Sequence, residues 1–270
     1  MTAIAGELGD ASTRRGILWM LTAIALFVTM DTVAKYLTQS YPVPQVVWGR
    51  YVFHVVLLAL VLNRRLAGVI RTRRLGLQLV RSLMLLGTTA FFYAGLRFIP
   101  LVDASAIMFL TPILVTALSV PFLGEQVGPR RWAGVAIGFI GAMIVIRPGT
   151  GMMAAAALLP LLAALFNAVY HLSTRILSRS DAPMTTLFYS AAVGAVLSSA
   201  FLPFYWTAPD AAGWMLMAML GLLGGTSHFA LIKAFQAAPP AAVAPFNYTS
   251  ILWATLFGFL LFDELPDRFT

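Results

Sequence analysis

The sequence has few charged residues and no cysteine. Only 10% of its 270 residues are Asp, Glu, Lys or Arg, whereas 60% are hydrophobic. Soluble globular domains carry about 25% charged residues, so the composition excludes that class. Because cysteine is missing, the chain has no disulfide, no thiol chemistry and no cysteine-ligated metal.

Long apolar runs occupy most of the chain. A helix needs about 20 residues to cross a hydrocarbon core about 30 Å thick. We predict nine membrane-spanning helices, called spans 1 to 9, at residues 16–39, 44–62, 77–98, 101–123, 130–147, 152–178, 183–205, 211–237 and 240–262. The links between them are too short for a soluble catalytic domain. The predicted fold is an all-α integral membrane bundle, in which each span satisfies its own backbone.

The net charge of +8 does not indicate a nucleic-acid partner, because most basic residues lie at one set of span ends. If the N-terminus is cytoplasmic, only Arg97, Arg147 and Arg268 flank the opposite side. This distribution follows the positive-inside rule and predicts contact with anionic lipid headgroups of the bilayer. Arg14 and Arg15 could also open a signal peptide, but the run after them is long enough to span, which favours a first helix.

The two halves of the chain resemble each other when they are shifted by 139 residues. Matched pairs include Pro44 with Pro183, Pro100 with Pro239, and Glu125 with Glu264. A unit of five helices is odd in number, so the second copy must start on the opposite face of the membrane. We therefore predict two inverted five-helix repeats, residues 1–149 with spans 1 to 5 and residues 150–270 with spans 6 to 9.

The repeat also predicts a tenth helix at positions 269–286. Two alternatives follow: this helix lies beyond Thr270 in a longer chain, or the second unit has one helix fewer. We favour the first.

Three segments carry a resemblance to a known family. They are GLRFIPLVDASAIMFLTPILVTALSVPFLGE (95–125), its echo AFQAAPPAAVAPFNYTSILWATLFGFLLFDE (234–264), and VVWGRYVFH (46–54). The chain resembles the drug/metabolite transporter superfamily in its EamA-type form of two five-helix units, and is most similar to the YddG-type bacterial amino-acid exporters. The resemblance covers essentially the whole chain, except that helix 10 is lacking.

This resemblance implies ten helices in a bacterial inner membrane, with a cytoplasmic N-terminus. It also implies a central cavity lined by helices 1, 3, 4, 6, 8 and 9, and export of substrate. We expect a monomer or a weak homodimer.

Asp31 and Lys35 are charged residues inside span 1, four residues apart and so on one helix face. One interpretation is that Lys35 snorkels to the headgroups with Asp31 as its partner. The other is that Asp31 faces the cavity and binds a substrate ammonium group or a proton, since it is the only acid well inside a span. The two are compatible.

Arg50 and His54 form a second such pair in span 2. The resemblance places an arginine here in many members, and we interpret it as a buried bundle contact or a salt bridge to an acid such as Asp31. Arg81, near the start of span 3, is interpreted as a snorkelling anchor.

Polar and aromatic groups near mid-membrane are the remaining candidates for a substrate site, because each costs free energy in lipid and should face protein, water or substrate. With Asp31, the candidates are Trp19, Tyr93, Asn167, His171, His228, Asn247 and Tyr248. A membrane histidine is also commonly only an interhelical hydrogen bond.

Two prolines inside spans are expected to bend their helices. Pro112 lies in span 4 and Pro245 in span 9, and each removes a backbone donor. The carbonyls that this frees could contact a substrate ammonium group, or the bends could only shape the bundle. Gly134-x-x-x-Gly138 and Gly221-x-x-x-Gly225 predict close helix packing.

No catalytic motif is present. A phosphate-binding loop is missing, clustered deep carboxylates are missing, and no metal-ligand set accompanies the histidines. We therefore expect no enzyme activity, no cofactor and no metal.

The prediction is a secondary transporter that exports small neutral or zwitterionic metabolites, most of all aromatic or large apolar amino acids, by alternating access. The alternatives are a non-transporting membrane assembly or lipid-interacting protein and, among transporters, a multidrug or nucleotide-sugar carrier.

Overall fold

The computed structural model describes residues 2–124, 128–146, 152–178, 180–238 and 240–265. Within those ranges the chain is helical and contains no strand. The helices are α1 (Thr2–Ser40), α2 (Val43–Leu62), α3 (Leu66–Val69), α4 (Leu75–Leu96), α5 (Leu101–Met108), α6 (Leu110–Leu123), α7 (Pro129–Ile146), α8 (Met152–Leu177), α9 (Pro183–Phe201), α10 (Ala211–Ala237), α11 (Pro240–Val243) and α12 (Thr249–Phe262).

The spans predicted from the sequence agree with these helices. Among the described residues, 8 helices or joined helices are long and apolar enough to cross a membrane. Span 5 corresponds to α7, in which the apolar stretch Trp132–Gly141 is shorter. The prediction of an all-α membrane bundle is thereby confirmed, while the tenth helix lies outside the described residues.

Spans 4 and 9 are each interrupted, and both interruptions lie beside a proline. Span 4 breaks at Phe109, between α5 and α6, just under one turn before Pro112. In span 9 a 3-10 segment, Ala244–Tyr248, contains Pro245 and separates α11 from α12. A proline lacks the N–H that would bond one turn back, and its ring crowds that carbonyl, so the helix tightens or breaks there.

The spanning helices form a ring. Each packs on the next in the order α1, α10, α2, α9, α4, α8, then α5 and α6, then α12, which returns to α1. Helices from residues 1–149 alternate around this ring with helices from residues 150–270. The two halves are therefore interleaved rather than placed side by side, and α7 packs outside on α5 and α6.

Small residues allow two of these helices to approach closely. A Cβ atom at Gly221 of α10 would lie 2.6 Å from the backbone nitrogen of His54 in α2, and one at Gly225 would lie 2.9 Å from a methyl carbon of Leu57. Close packing at this glycine pair was predicted and is confirmed. At Gly134 in α7, by contrast, such an atom would meet nothing within 4 Å.

The bundle has two ends, which we name by their acidic residues. The Glu264 end contains the C-termini of α1 and α12 and the turn before α5. The Asp181 end contains the α8–α9 turn and the residues just before α4. At the Asp181 end, the Asp181 carboxylate accepts hydrogen bonds from the Thr72 hydroxyl, from Gln78 Nε2 at 2.7 Å and from the Arg73 backbone.

Two predictions about basic side chains are wrong. Lys35 does not snorkel with Asp31 as its partner: it is 3% exposed, and its Nζ lies 2.8 Å from Glu264 Oε1. Arg81 is not a headgroup anchor either, because it is 4% exposed and donates to Thr174, Tyr170 and Ser190 on α8 and α9. In both cases polar groups of neighbouring segments pair with the buried charge, which offsets part of its desolvation cost.

Candidate functional site

Five polar side chains from four helices meet inside the ring, and we call them the central cluster. They are Asp31 of α1, Arg50 and His54 of α2, Tyr93 of α4 and His228 of α10. The exposed face of α1 is turned away from them. Leu18, Thr22 and Tyr36 of this helix are exposed, and at 3.6 residues per turn Asp31 lies on the opposite face.

Arg50 occupies the middle of the cluster and is 7% exposed. Its Nη1 donates to Thr89 Oγ1 at 2.6 Å, and its guanidinium carbon lies 5.3 Å from the ring centroid of Tyr51 and 5.7 Å from that of Tyr93. Asp31 is close enough to interact with it electrostatically. An acidic and a basic side chain of two helices therefore lie near each other inside the ring.

The two histidines lie side by side. The ring centroids of His54 and His228 are 6.3 Å apart in an edge-to-face arrangement, and Phe27 of α1 lies 5.0 Å from the His228 ring on its other side. His54 follows Arg50 by four residues, so both side chains leave the same face of α2 toward α10. This arrangement links α1, α2 and α10 through rings that can also donate or accept hydrogen bonds.

Several polar atoms of the central cluster have no hydrogen-bond partner. Among the described residues, the buried unpaired atoms are Arg50 Nε, His54 Nε2, Tyr93 Oη and His228 Nδ1, together with Gln78 Oε1 elsewhere. An unpaired buried polar atom costs about 1–3 kcal/mol. Four of these five atoms belong to the central cluster. The cluster therefore contains buried polar atoms that have no hydrogen-bond partner.

Asn167 and His171 lie on α8, away from the central cluster. Asn167 is half-buried, with its Nδ2 3.5 Å from Thr111 Oγ1 of α6. His171, one turn further, is exposed although it lies opposite the lipid-side residues Leu158 and Leu165 of the same helix. Its exposed surface is therefore on the inner side of the ring, toward the Asp181 end.

The other predicted site residues are more dispersed. Asn247 and Tyr248 are exposed in the 3-10 segment of span 9, and the Tyr248 ring lies 5.1 Å from Phe109 at the break in span 4. Trp19 packs edge-on against Phe229 with the ring centroids 6.4 Å apart, at the contact between α1 and α10. Of the eight predicted residues, the structure brings together Asp31, Tyr93 and His228.

Arg50 and His54 were not among the predicted substrate contacts. They were predicted to be bundle contacts, because the expected cavity is lined by spans 1, 3, 4, 6, 8 and 9. Arg50 is indeed a buried bundle contact and interacts with Asp31. However, its side chain is long enough to place the guanidinium group of span 2 in the central cluster. The four-residue spacing of two polar groups in an apolar span indicated this pair as well as Asp31 and Lys35, but spacing alone does not distinguish a packing contact from a substrate contact.

The EamA-like transporter family matches this chain twice, over residues 14–147 and 154–270. An S-adenosylmethionine uptake transporter of Rickettsia felis is 29% identical over 94% of this chain and 87% of that protein. A riboflavin transporter of Rhizobium johnstonii is 31% identical over 93% and 84%, respectively. A pseudopaline exporter of Pseudomonas aeruginosa is 27% identical over 95% and 91%.

A solved crystal structure has a similar fold. It matches with a TM-score of 0.67 at 18% identity, over 94% of this chain and 90% of the other. At that identity the likeness concerns the fold alone. Taken with the ring of spanning helices and the two family matches, it leads to one conclusion: this chain is a membrane transporter that belongs to the EamA-like transporter family.

Proposed function

We propose that this protein is a secondary transporter for small metabolites that contain an α-amino-acid group, with aromatic or large apolar amino acids as its main substrates. The observation that carries the proposal is the electrostatic interaction between Asp31 of α1 and Arg50 of α2, inside a ring of spanning helices. A carboxylate and a guanidinium at one place offer a partner for each charge of a zwitterion.

Alternating access of two inverted units, residues 1–149 and 150–270, is the proposed mechanism. The alternation of the two halves around the ring supports this mechanism. A movement of one half against the other changes every contact between adjacent helices of the ring. Asp31, Tyr93 and His228 would contact the substrate at the centre. Asn167, His171 and Asn247 would line the path toward the Asp181 end, and Trp19 and Tyr248 remain predicted substrate contacts.

One group of relatives supports this substrate class, whereas the riboflavin transporters are named for a compound without an α-amino-acid group. S-adenosylmethionine, named for the uptake transporter of Rickettsia felis, carries the α-amino and carboxylate groups of methionine. Relatives are named for uptake and for export alike. The proposal therefore also includes export of amino acids, an inner-membrane location and a cytoplasmic N-terminus, and each of these needs an experimental test.

Flux measurements test the proposal directly. The purified protein would be reconstituted into liposomes, and efflux of each labelled amino acid, of S-adenosylmethionine and of riboflavin would be compared with protein-free liposomes. We expect accelerated flux of at least one compound with an α-amino-acid group. Acceleration of riboflavin alone would contradict the substrate class, and no acceleration of any compound would favour a non-transporting membrane protein.

The same liposomes distinguish two coupling mechanisms. Proton-coupled antiport through Asp31 or a histidine predicts that an imposed proton gradient drives flux and that Asp31→Asn abolishes this effect. Facilitated diffusion predicts that substrate flux down its own gradient is unchanged by the proton gradient. If neither the proton gradient nor Asp31→Asn changes the substrate flux, coupling through this acid is excluded.

A further inference from the structure

The unpaired atoms of the central cluster share one property: they can donate hydrogen bonds. The guanidinium Nε–H of Arg50 and the hydroxyl of Tyr93 are donors, and an imidazole donates from one of its two nitrogens. They come from α2, α4 and α10, so three helices each contribute to one location. Asp31, by contrast, is an acid and lies on a fourth helix, α1.

A glycine leaves space beside this group of donors. A Cβ atom at Gly224 of α10 would lie 3.9 Å from Arg50 Nε, 3.8 Å from His54 Nδ1 and 3.6 Å from Met30 Sδ, which are ordinary contact distances. The Gly224 backbone is helical, so its conformation does not require glycine. A helical glycine costs about 1 kcal/mol relative to alanine, and here it keeps the wall next to Arg50 Nε open.

The polarity of the site limits what can occupy that space. Arg50 already donates from Nη1 to Thr89, and its Nε–H is left for a further acceptor. An amine bound at Asp31 would remove the counter-charge of Arg50 and leave a buried cation uncompensated. A zwitterion that places its ammonium group at Asp31 and its carboxylate at Arg50 compensates both charges at once.

We propose that Arg50 Nε, the Tyr93 hydroxyl and the rings of His54 and His228 form a carboxylate subsite that makes the transporter select zwitterions over the corresponding amines. This inference rests on the proposed function, because it assigns one end of the substrate to residues of the same site. Arg50 is the residue that determines selectivity, and Gly224 provides the space for the carboxylate.

Competition in proteoliposomes tests the subsite. The labelled substrates are L-phenylalanine, L-methionine and L-leucine, and the competitors are the same amino acids and the amines that lack their carboxylates: phenethylamine, 3-methylthiopropylamine and isoamylamine. With the wild-type protein, each transported amino acid should compete at least about tenfold better than its amine, as expected when a charged partner is left unpaired. In Arg50→Gln the advantage should fall to about twofold or less.

Gly224→Leu provides an independent variant that keeps Arg50 and fills the space beside it. We expect this change to abolish amino-acid flux while the protein remains folded, as judged by a monodisperse size-exclusion profile. Its matched control is Gly76→Leu at the start of α4, where a side chain would meet nothing within 4 Å, and which should retain flux. If Arg50→Gln does not fold, the flux of Gly224→Leu tests whether the carboxylate subsite exists.

The outcomes separate the inference from the proposed function. If the wild-type protein moves amino acids but equally well moves the matching amines, the subsite is excluded and the transporter assignment stands. Unchanged discrimination in a folded Arg50→Gln, or full flux in Gly224→Leu, would also overturn the subsite. If the wild-type protein accelerates no compound with an α-amino-acid group, both the proposed function and the subsite fail.

Discussion

Lys35 Nζ lies 2.8 Å from Glu264 Oε1 and 2.9 Å from the carbonyl oxygen of Ile99. Glu264 Oε2 in turn accepts from the backbone nitrogen of Leu101 at 3.3 Å. One partly buried ion pair therefore joins α1, the turn before α5 and the residues just after α12. These three parts of the chain lie at the Glu264 end of the ring, so we expect the pair to hold that end closed.

Breaking this ion pair should open the Glu264 end. The absence of native cysteine makes Thr38→Cys, a fully buried position one turn after Lys35, a selective reporter. We expect a polar thiol reagent to label it at least about tenfold faster when Glu264→Gln is also present, because the buried Lys35 ammonium group then loses its charged partner. The charge-reversed protein, Lys35→Glu with Glu264→Lys, should label slowly again. Equal labelling in all three proteins would show that the pair does not hold this end closed.

The ion pair has no counterpart at the other end of the proposed repeat. Under the shift of 139 residues, Lys35 corresponds to Thr174 and Leu101 to Pro240, which have no ammonium group and no N–H, respectively. We therefore expect the Asp181 end to be the open one at rest. In single-cysteine proteins His171→Cys should react readily with the same reagent, whereas Thr38→Cys should not. The reverse pattern would contradict this asymmetry.

Much of the fold could be predicted from the sequence because membrane spans are determined by length and hydrophobicity alone. The breaks in spans 4 and 9 followed from the backbone chemistry of proline. Charge pairing could not be predicted in the same way. Lys35 pairs with a residue 229 positions away although Asp31 is four away, because side-chain direction and helix packing decide which acid is reached. The site was therefore predicted in part: Asp31, Tyr93 and His228 meet, but Arg50 joins them from a span assigned to packing.

Arg81 should be essential for stability at the Asp181 end. Its guanidinium donates to Thr174 Oγ1, the Thr186 carbonyl, Ser190 Oγ and Tyr170 Oη at 2.6–2.8 Å, and it lies 4.4 Å from the Tyr170 ring centroid. Arg81→Met removes these four hydrogen bonds and should destabilise the protein by about 3 kcal/mol. Arg81→Lys keeps the charge but not the planar set of donors, so it should recover only part of the loss. Thermal unfolding in detergent measures both variants, and a full recovery by lysine would show that charge alone matters.

Asp181 should make stability dependent on pH in the acid range. Burial alone would raise the pKa of this carboxyl group, but hydrogen bonds from Thr72, Gln78, the Arg73 backbone and Ser180 lower it below the ordinary 3.8. A lowered folded-state pKa contributes stability that is present above the unfolded-state value and is lost as the pH falls through the folded-state value. The unfolding temperature of Asp181→Ala should therefore lie below that of the wild-type protein at pH 7, and the gap should narrow below about pH 4. A gap that stays constant down to pH 3 would exclude this origin.

The approach of α2 and α10 at Gly221 should be intolerant of even one methyl group. A Cβ atom there would lie 2.6 Å from the His54 backbone nitrogen, and backbone cannot move aside as a flexible side chain can. Gly221→Ala should therefore push the two helices apart, destabilise the protein by about 1–3 kcal/mol and displace His54 from His228. Gly76→Ala, which gains a side chain in open space, is the matched control and should unfold at or above the wild-type temperature because alanine favours the helix. If Gly221→Ala unfolds at the temperature of that control, the helices are not held at this distance by the glycine.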